Sequence, residues 1–203
     1  MKITVSGTGG ITKLSDRLIY QTAQLSEYPG LDEIVFAPRK CYYDGTKDDY
    51  SAKLYNSKTE QKTPYFKDDF INMLDKLKSM GKLDNLDLIT IVPRGEKGYS
   101  VTLDGLATLA SNHLQVPYEK VIERTRAIQL KKHKKLAERL ELVQGSMKIS
   151  KDVSRYKKIM VIDDAKVSGS TTLEIKKILL EGGAKEIISV CLGINAHPEE
   201  GTQ

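Results

Sequence analysis

The chain has 203 residues, a formal net charge of +5 and 39% hydrophobic residues, so it can bury a full core as one α/β domain with room for a small appendage. No apolar run reaches the roughly 18 residues of a membrane span. The start MKITVSG lacks a signal-peptide pattern, and Cys41 and Cys191 have no metal-ligand spacing. These features exclude a membrane-spanning or cysteine-stapled class and lead us to expect a reduced, cytoplasmic protein with no membrane partner.

Taken in chain order, Ile3 to Ser6 predicts a first strand. The following Gly7-Thr8-Gly9-Gly10 has the look of a dinucleotide-binding turn, but the third glycine would fall at Thr12. Asp32 and Glu33 also precede the next strand instead of ending it. Leu14, Leu18, Thr22 and Leu25 suit one helix face, and Ile34 to Ala37 a second strand. Cys41 to Thr63 is polar, tyrosine-bearing and aperiodic, and reads as a long loop or irregular insertion. Thr63-Pro64 opens a helix as cap and first residue, Phe66, Phe70, Met73, Leu74 and Leu77 form its stripe, and Gly81 stops it. Asp87 to Val92 predicts a strand, Leu103, Leu106, Ala107, Ala110 and Leu114 a helix, and Val116 to Ile122 extended structure.

The segment from Arg155 to Gly193 carries the most information. Ile159 to Ile162 is a short apolar run, as expected for a strand buried on both faces. Asp163 and Asp164 fall where that strand ends, and Ala165 to Thr171 make a tight loop of small and hydroxyl residues. Ile175, Ile178 and Leu179 then recur at helical spacing, Gly182-Gly183 ends the helix, and Ile187 to Leu192 supplies the next strand. Alternating strands and helices imply an open, mostly parallel twisted sheet with helices on both faces. We expect residues 1–83 to contribute a small hood and the first sheet elements, and residues 84–203 to form the ligand-binding core, the two making one integrated domain.

A loop that leads into a helix N-terminus presents unpaired N–H groups and the positive end of the helix dipole, which suits a phosphate. Gly169 lets the backbone approach an anion, and Ser168, Ser170 and Thr171 add hydroxyl donors. Two adjacent carboxylates repel one another. They are well suited to accept hydrogen bonds from two neighbouring hydroxyls with a divalent cation nearby. A diol on one side and a phosphate on the other describe a ribose 5-phosphate.

A second constellation follows the Asp87–Val92 strand: Val92-Pro93-Arg94-Gly95-Glu96-Lys97-Gly98-Tyr99. A basic, glycine-flexed strand-to-helix turn is another anion site, and its place one unit before the acidic pair aligns the two along one sheet edge. The third feature is charge. Between Glu119 and Lys158 there are 13 Lys or Arg and 5 Asp or Glu, about +8. That segment reads as a solvated helix face, a nucleic-acid surface, or a loop closing over a polyphosphate. Its position favours the last, and nucleic acid is the less favoured partner.

The segment Val161-Ile162-Asp163-Asp164-Ala165-Lys166-Val167-Ser168-Gly169-Ser170-Thr171 resembles the motif by which type I phosphoribosyltransferases bind 5-phosphoribosyl 1-pyrophosphate (PRPP). The resemblance implies that Asp163 and Asp164 contact the ribose hydroxyls with Mg2+ as cofactor, and that Ala165, Lys166, Val167, Ser168, Gly169, Ser170 and Thr171 hold the 5-phosphate. It assigns the pyrophosphate to Arg94, Gly95 and Lys97. Val167 stands where purine-salvage members carry an acid/base Asp, which argues against that mechanism. The run Glu123-Arg124-Thr125-Arg126-Ala127-Ile128-Gln129, with Leu136, Arg139, Leu140 and Gln144 to Met147, is similar to the ComF-like branch, without its cysteine-rich zinc module. There Arg124, Arg126 and Lys131 to Lys135 would screen the departing pyrophosphate, making Arg124 catalytic beside Arg94 and the acidic pair.

The resemblance covers roughly residues 84 to 195. It implies a pentosyltransferase of nucleotide metabolism that moves phosphoribose from PRPP to a nitrogenous small-molecule acceptor. A homodimer is expected, since dimers are common in the superfamily. The alternatives are a PRPP-binding regulator without turnover and a ComF-like accessory protein of nucleic acid. Tyr42, Tyr43, Tyr50, Tyr55 and Tyr65 are either a stacking surface for a planar base or ordinary exposed loop tyrosines, the latter favoured.

Overall fold

A computed structural model describes residues 11–13, 19–23, 33–41, 49–60, 63–96, 98–130 and 136–195. The expected strand at Ile3 to Ser6 lies outside these residues. Ile11–Lys13 (β1), Ile19–Ala23 (β2) and Glu33–Ala37 (β3) form an antiparallel meander. Of the helix face expected at Leu14, Leu18, Thr22 and Leu25, only Thr22 falls within the described residues, and there it is strand, paired with Ile34.

Seven strands make one sheet in the order β1-β2-β3-β9-β8-β5. Here β5 is Leu88–Ile91, β8 is Lys158–Lys166 and β9 is Glu186–Asn195. The short strand Arg39–Cys41 (β4) continues beyond β3 along the edge of β9, its Arg39 opposite Gly193. From β3 to β5 every pairing is parallel, with Leu88 opposite Ile159 and Val161 opposite Ser189. The apolar runs of β5 and β8 are buried on both faces, as parallel central strands require.

Helices cover the two faces unequally. Asp49–Glu60 (α1), Lys67–Ser79 (α2) and Val101–Leu114 (α3) pack on one side, where Tyr50, Leu54, Phe70, Leu74 and Leu106 meet Ile89, Met160 and Val190. Ser170–Glu181 (α5) packs on the other, with Ile175 and Leu179 against Ile159 and Val161. A two-stranded sheet of Ile122–Arg124 (β6) and Met147–Ile149 (β7) shares that second core through Ile122 and Met147. Between β6 and β7 lies Leu136–Val143 (α4).

Two boundaries differ from expectation. Thr63–Phe66 is a 3-10 turn, not the start of the helix, and it delivers the fully buried Phe66 beneath α2. The helix ends as foreseen at Gly81, whose φ of 69° is the left-handed stop that glycine adopts freely. The long loop expected over Cys41 to Thr63 instead contains α1, twelve residues long. Tyr50 is buried in it and donates from its hydroxyl to the Leu192 carbonyl at 2.6 Å. Tyr50 is thus a core anchor between α1 and β9, not part of a stacking surface. Tyr55 and Tyr65 are exposed, and Tyr42 and Tyr43 lie outside the described residues.

Candidate functional site

The connections leaving the carboxyl ends of β5 and β8 lead to helices on opposite faces, α3 and α5. A crevice opens at such a switch point, at the carboxyl edge of the strands. A cavity of about 600 Å³ lies there, lined by Arg94, Gly95, Arg124, Asp163, Asp164 and residues 165–172, together with Val101, Ile128 and Arg139. The structure therefore brings the acidic pair, the hydroxyl loop and the Arg94 turn to one site. Lys97 and Lys131 to Lys135 lie outside the described residues.

β8 does not stop at Ile162, as the sequence implied. It continues through Lys166, with Asp163 opposite Cys191 and Ala165 opposite Gly193, because β9 runs on beside it to Asn195. The two carboxyls are half-buried within the last part of the strand. Asp163 Oδ1 accepts from the Asp164 N–H and Asp164 Oδ1 from the Ala165 N–H, both at 2.7 Å. These backbone donors orient the carboxylates and partly offset their repulsion.

The loop proper shortens to Val167–Gly169. Gly169 has φ of 80° and forms the N-cap position of α5, where a side chain would be strained. Ser168 Oγ lies 3.1 Å from Ser170 Oγ, and the buried Ser170 holds the first position of the helix. Lys166 is 5% exposed, so it contributes to the cavity wall from a buried position at the strand's end.

Across the cavity, the Arg94 turn closes through an Arg94 N–H bond to the Gly98 carbonyl at 3.0 Å. Ile128 N–H donates to the Gly95 carbonyl at 2.8 Å. A Cβ on Gly95 would fall 2.9 Å from the Ile128 carbonyl oxygen, so glycine is what allows this approach. The Tyr99 hydroxyl donates to the Ile122 carbonyl, fastening the end of the turn to β6. Ser100 then caps α3, its Oγ accepting from Leu103 N–H at 3.5 Å.

Arg124 connects these parts. Its Nε donates to the Arg94 carbonyl at 3.1 Å and its Nη1 to Ser146 Oγ at 2.6 Å. Burial lowers its pKa, the Asp163 carboxylate pulls it back up, and Arg126 lowers it again. A guanidinium is thus held between the acidic pair and the basic turn. Arg126 turns elsewhere, donating to the Leu142 and Gln144 carbonyls at 2.9 and 3.3 Å and so fastening the end of α4.

Glu174 gains a place that the sequence did not give it, and Arg139, read from sequence only as part of the ComF-like run, gains a contact at the site. Glu174 in α5 is only 8% exposed and accepts the Gly145 N–H at 2.8 Å, tying the α4–β7 turn to α5. A carboxylate in an amphipathic helix normally reads as a solvated face, so no pattern marks it. Arg139 in α4 donates from Nη1 to Ser168 Oγ at 3.3 Å. Cys191, beside Asp163 in the sheet, is fully buried, and burial pushes its thiol well above the usual range, which makes it a poor nucleophile.

No family model matches the chain, and no curated protein matches it. Among solved structures it is similar to the glutamine PRPP amidotransferase from B. subtilis complexed with ADP and GMP, at 25% identity over 51% of this chain and 22% of that one, TM-score 0.36. A structure described as the allosteric regulatory enzyme of purine biosynthesis gives 25% identity over 51% of this chain and 21% of that one, TM-score 0.36. A purine phosphoribosyltransferase from Pyrococcus horikoshii gives 18% identity over 62% of this chain and 70% of that one, TM-score 0.39. The chain spans about a fifth of the length of the first two.

Proposed function

We propose that this protein is a phosphoribosyltransferase that uses PRPP, with the acidic pair of β8, the Val167–Gly169 loop and the Arg94 turn as its donor site. One observation carries the reading. A half-buried carboxylate pair, a glycine loop capping a helix and an arginine-bearing turn line a single cavity at the carboxyl edge of parallel strands. Each part matches one portion of the donor: diol, 5-phosphate and pyrophosphate.

In this reading Asp163 and Asp164 accept the ribose hydroxyls, and Ser168 to Thr171 with the α5 N-terminus hold the 5-phosphate. Arg94, Gly95 and Lys97 receive the pyrophosphate, with Arg124 beside Arg94. Among the described residues no group of three or more acidic, histidine or cysteine side chains is placed to cage a metal. The paired carboxylates still fit Mg2+, which is commonly held by one or two carboxylates and completes its shell with substrate oxygens and water. Bound there, Mg2+ would offset the donor's negative charge. The acceptor nitrogen forms a bond to C1 as the C1–O bond to pyrophosphate breaks, the bonding pair leaving with pyrophosphate, and the nitrogen's proton passes to water. The protein's part is positioning and stabilisation of the leaving oxygens by Arg94 and Arg124. We assign the chain to the ComF-like branch on the order of Arg124, Gln129, Leu136 and Arg139, and propose a homodimer.

Calorimetric titration with PRPP tests the site. We expect Mg2+-dependent binding, weakened by about a hundredfold or more when Asp163→Asn and Asp164→Asn are combined, since two charge-assisted acceptors are lost. Equal affinity in a folded double variant would remove the assignment. Pyrophosphate release on incubation with a panel of nucleobases and amines then separates an enzyme from a binding protein without turnover.

A further inference from the structure

The donor site proposed above is built from two loops, but a third element reaches it. Arg139 belongs to α4, between β6 and β7, and its Nη1 is 3.3 Å from Ser168 Oγ. Ser168 in turn lies 3.1 Å from Ser170 Oγ, on the other side of the buried, left-handed Gly169. The guanidinium therefore stands at the rim of the concavity formed where α5 begins. It is half-buried in the cavity wall, and burial lowers its pKa. A cation losing hydration in this way is favoured by an anion brought to its face.

The other arginines of this segment are committed to different ends. Arg124 bonds the Arg94 carbonyl and Ser146 and is drawn toward Asp163, so it serves the ribose and pyrophosphate side. Arg126 bonds carbonyls at the end of α4. Only Arg139, among the described arginines of the segment, touches the hydroxyl loop. Its planar fork matches phosphate oxygens better than a point charge does.

We propose that Arg139 is a specificity residue that reads the 5-phosphate of the donor. This inference rests on the phosphoribosyltransferase reading. Helix α4 then contributes to donor selection directly, by a guanidinium over the phosphate loop that a donor lacking the 5-phosphate does not engage.

The test is calorimetry with three probes, namely PRPP, ribose 5-phosphate and inorganic pyrophosphate, all with Mg2+, on the intact chain and on Arg139→Met. We expect ribose 5-phosphate and PRPP to weaken by about ten- to a hundredfold, the usual range for a lost charge-assisted contact, with pyrophosphate affinity unchanged. Should the methionine variant unfold, Arg139→Gln of similar reach gives the same contrast. Unchanged ribose 5-phosphate affinity overturns the proposal, and so does an equal loss for pyrophosphate, which would mean that α4 had simply been displaced. If the intact chain binds no PRPP, the parent reading fails first and this one falls with it.

Discussion

Gly193 shows how a single missing side chain shapes the sheet. It lies in β9 opposite Ala165, and a Cβ there would come within 2.1 Å of Cys41 Sγ and 2.8 Å of Leu54 Cδ2. The space that Gly193 leaves is filled by the strand on one side and α1 on the other. Gly193→Ala should cost about 1–3 kcal/mol through overpacking, a fall of about 2–4 °C per kcal/mol in Tm. Adding Cys41→Ala should recover part of the loss, because the two sites share one volume. A Gly193→Ala protein that melts with the parent would show that β9 and α1 are packed differently. At this scale the sequence was most legible where chemistry is unusual. Adjacent Asp163 and Asp164 beside Gly169 are hard to explain as scaffold, and they do line the cavity. Glu174 was illegible because its one distinguishing property, burial against Gly145 N–H, depends on a segment 29 residues away.

Among the elements, β8 is held at its start by a side chain from the neighbouring strand's entry. Asp87 accepts the Lys157 and Lys158 N–H groups at 2.7 and 2.9 Å, and these two bonds hold its carboxyl below the usual range, that of Lys158 first. A carboxyl depressed in the folded state contributes stability above its unfolded pKa of about 4, and loses it as pH falls through the lower folded value. Asp87→Asn should therefore destabilise modestly at neutral pH, since solvent screens the carboxyl, and flatten the acid limb of Tm against pH below about 4. Parallel acid limbs in the two proteins would contradict it. The elements read correctly were those with apolar stripes, such as α2 and α3. Helix α1 escaped because the buried positions among its described side chains are Tyr50, Ser51, Leu54 and Ser57. Their spacing is helical, but three of the four are polar or carry a hydroxyl, so hydropathy conceals the face. The end of β8 escaped for a related reason: Asp163 to Lys166 look like loop residues, yet β9 continues to pair with them.

On the scale of the whole molecule, the sheet crosses the boundary near residue 83. β9, the last of the described strands, pairs with β3 and β4 from the N-terminal part and with β8 from the C-terminal part. Its buried Val190 and Leu192 share a core with Tyr50, Leu54, Phe66 and Phe70. Cutting before residue 84 would bare one edge of β9 and the part of one sheet face that α1 and α2 cover, leaving only α3 on it. Each uncovered large apolar side chain forfeits about 1.5–3 kcal/mol, and several are involved against a typical total stability of about 5–15 kcal/mol. An exposed parallel edge also invites aggregation. We therefore expect residues 84–203, which hold every proposed donor contact, to show no cooperative melt and no PRPP binding when produced alone. A fragment that melts cooperatively within a few degrees of the full chain and retains PRPP affinity would mean that the N-terminal part is an accessory. If instead the fragment recovers both properties only when residues 1–83 are supplied in trans, the two parts form one folding unit, and the donor site depends on a sheet completed by residues that never touch the donor.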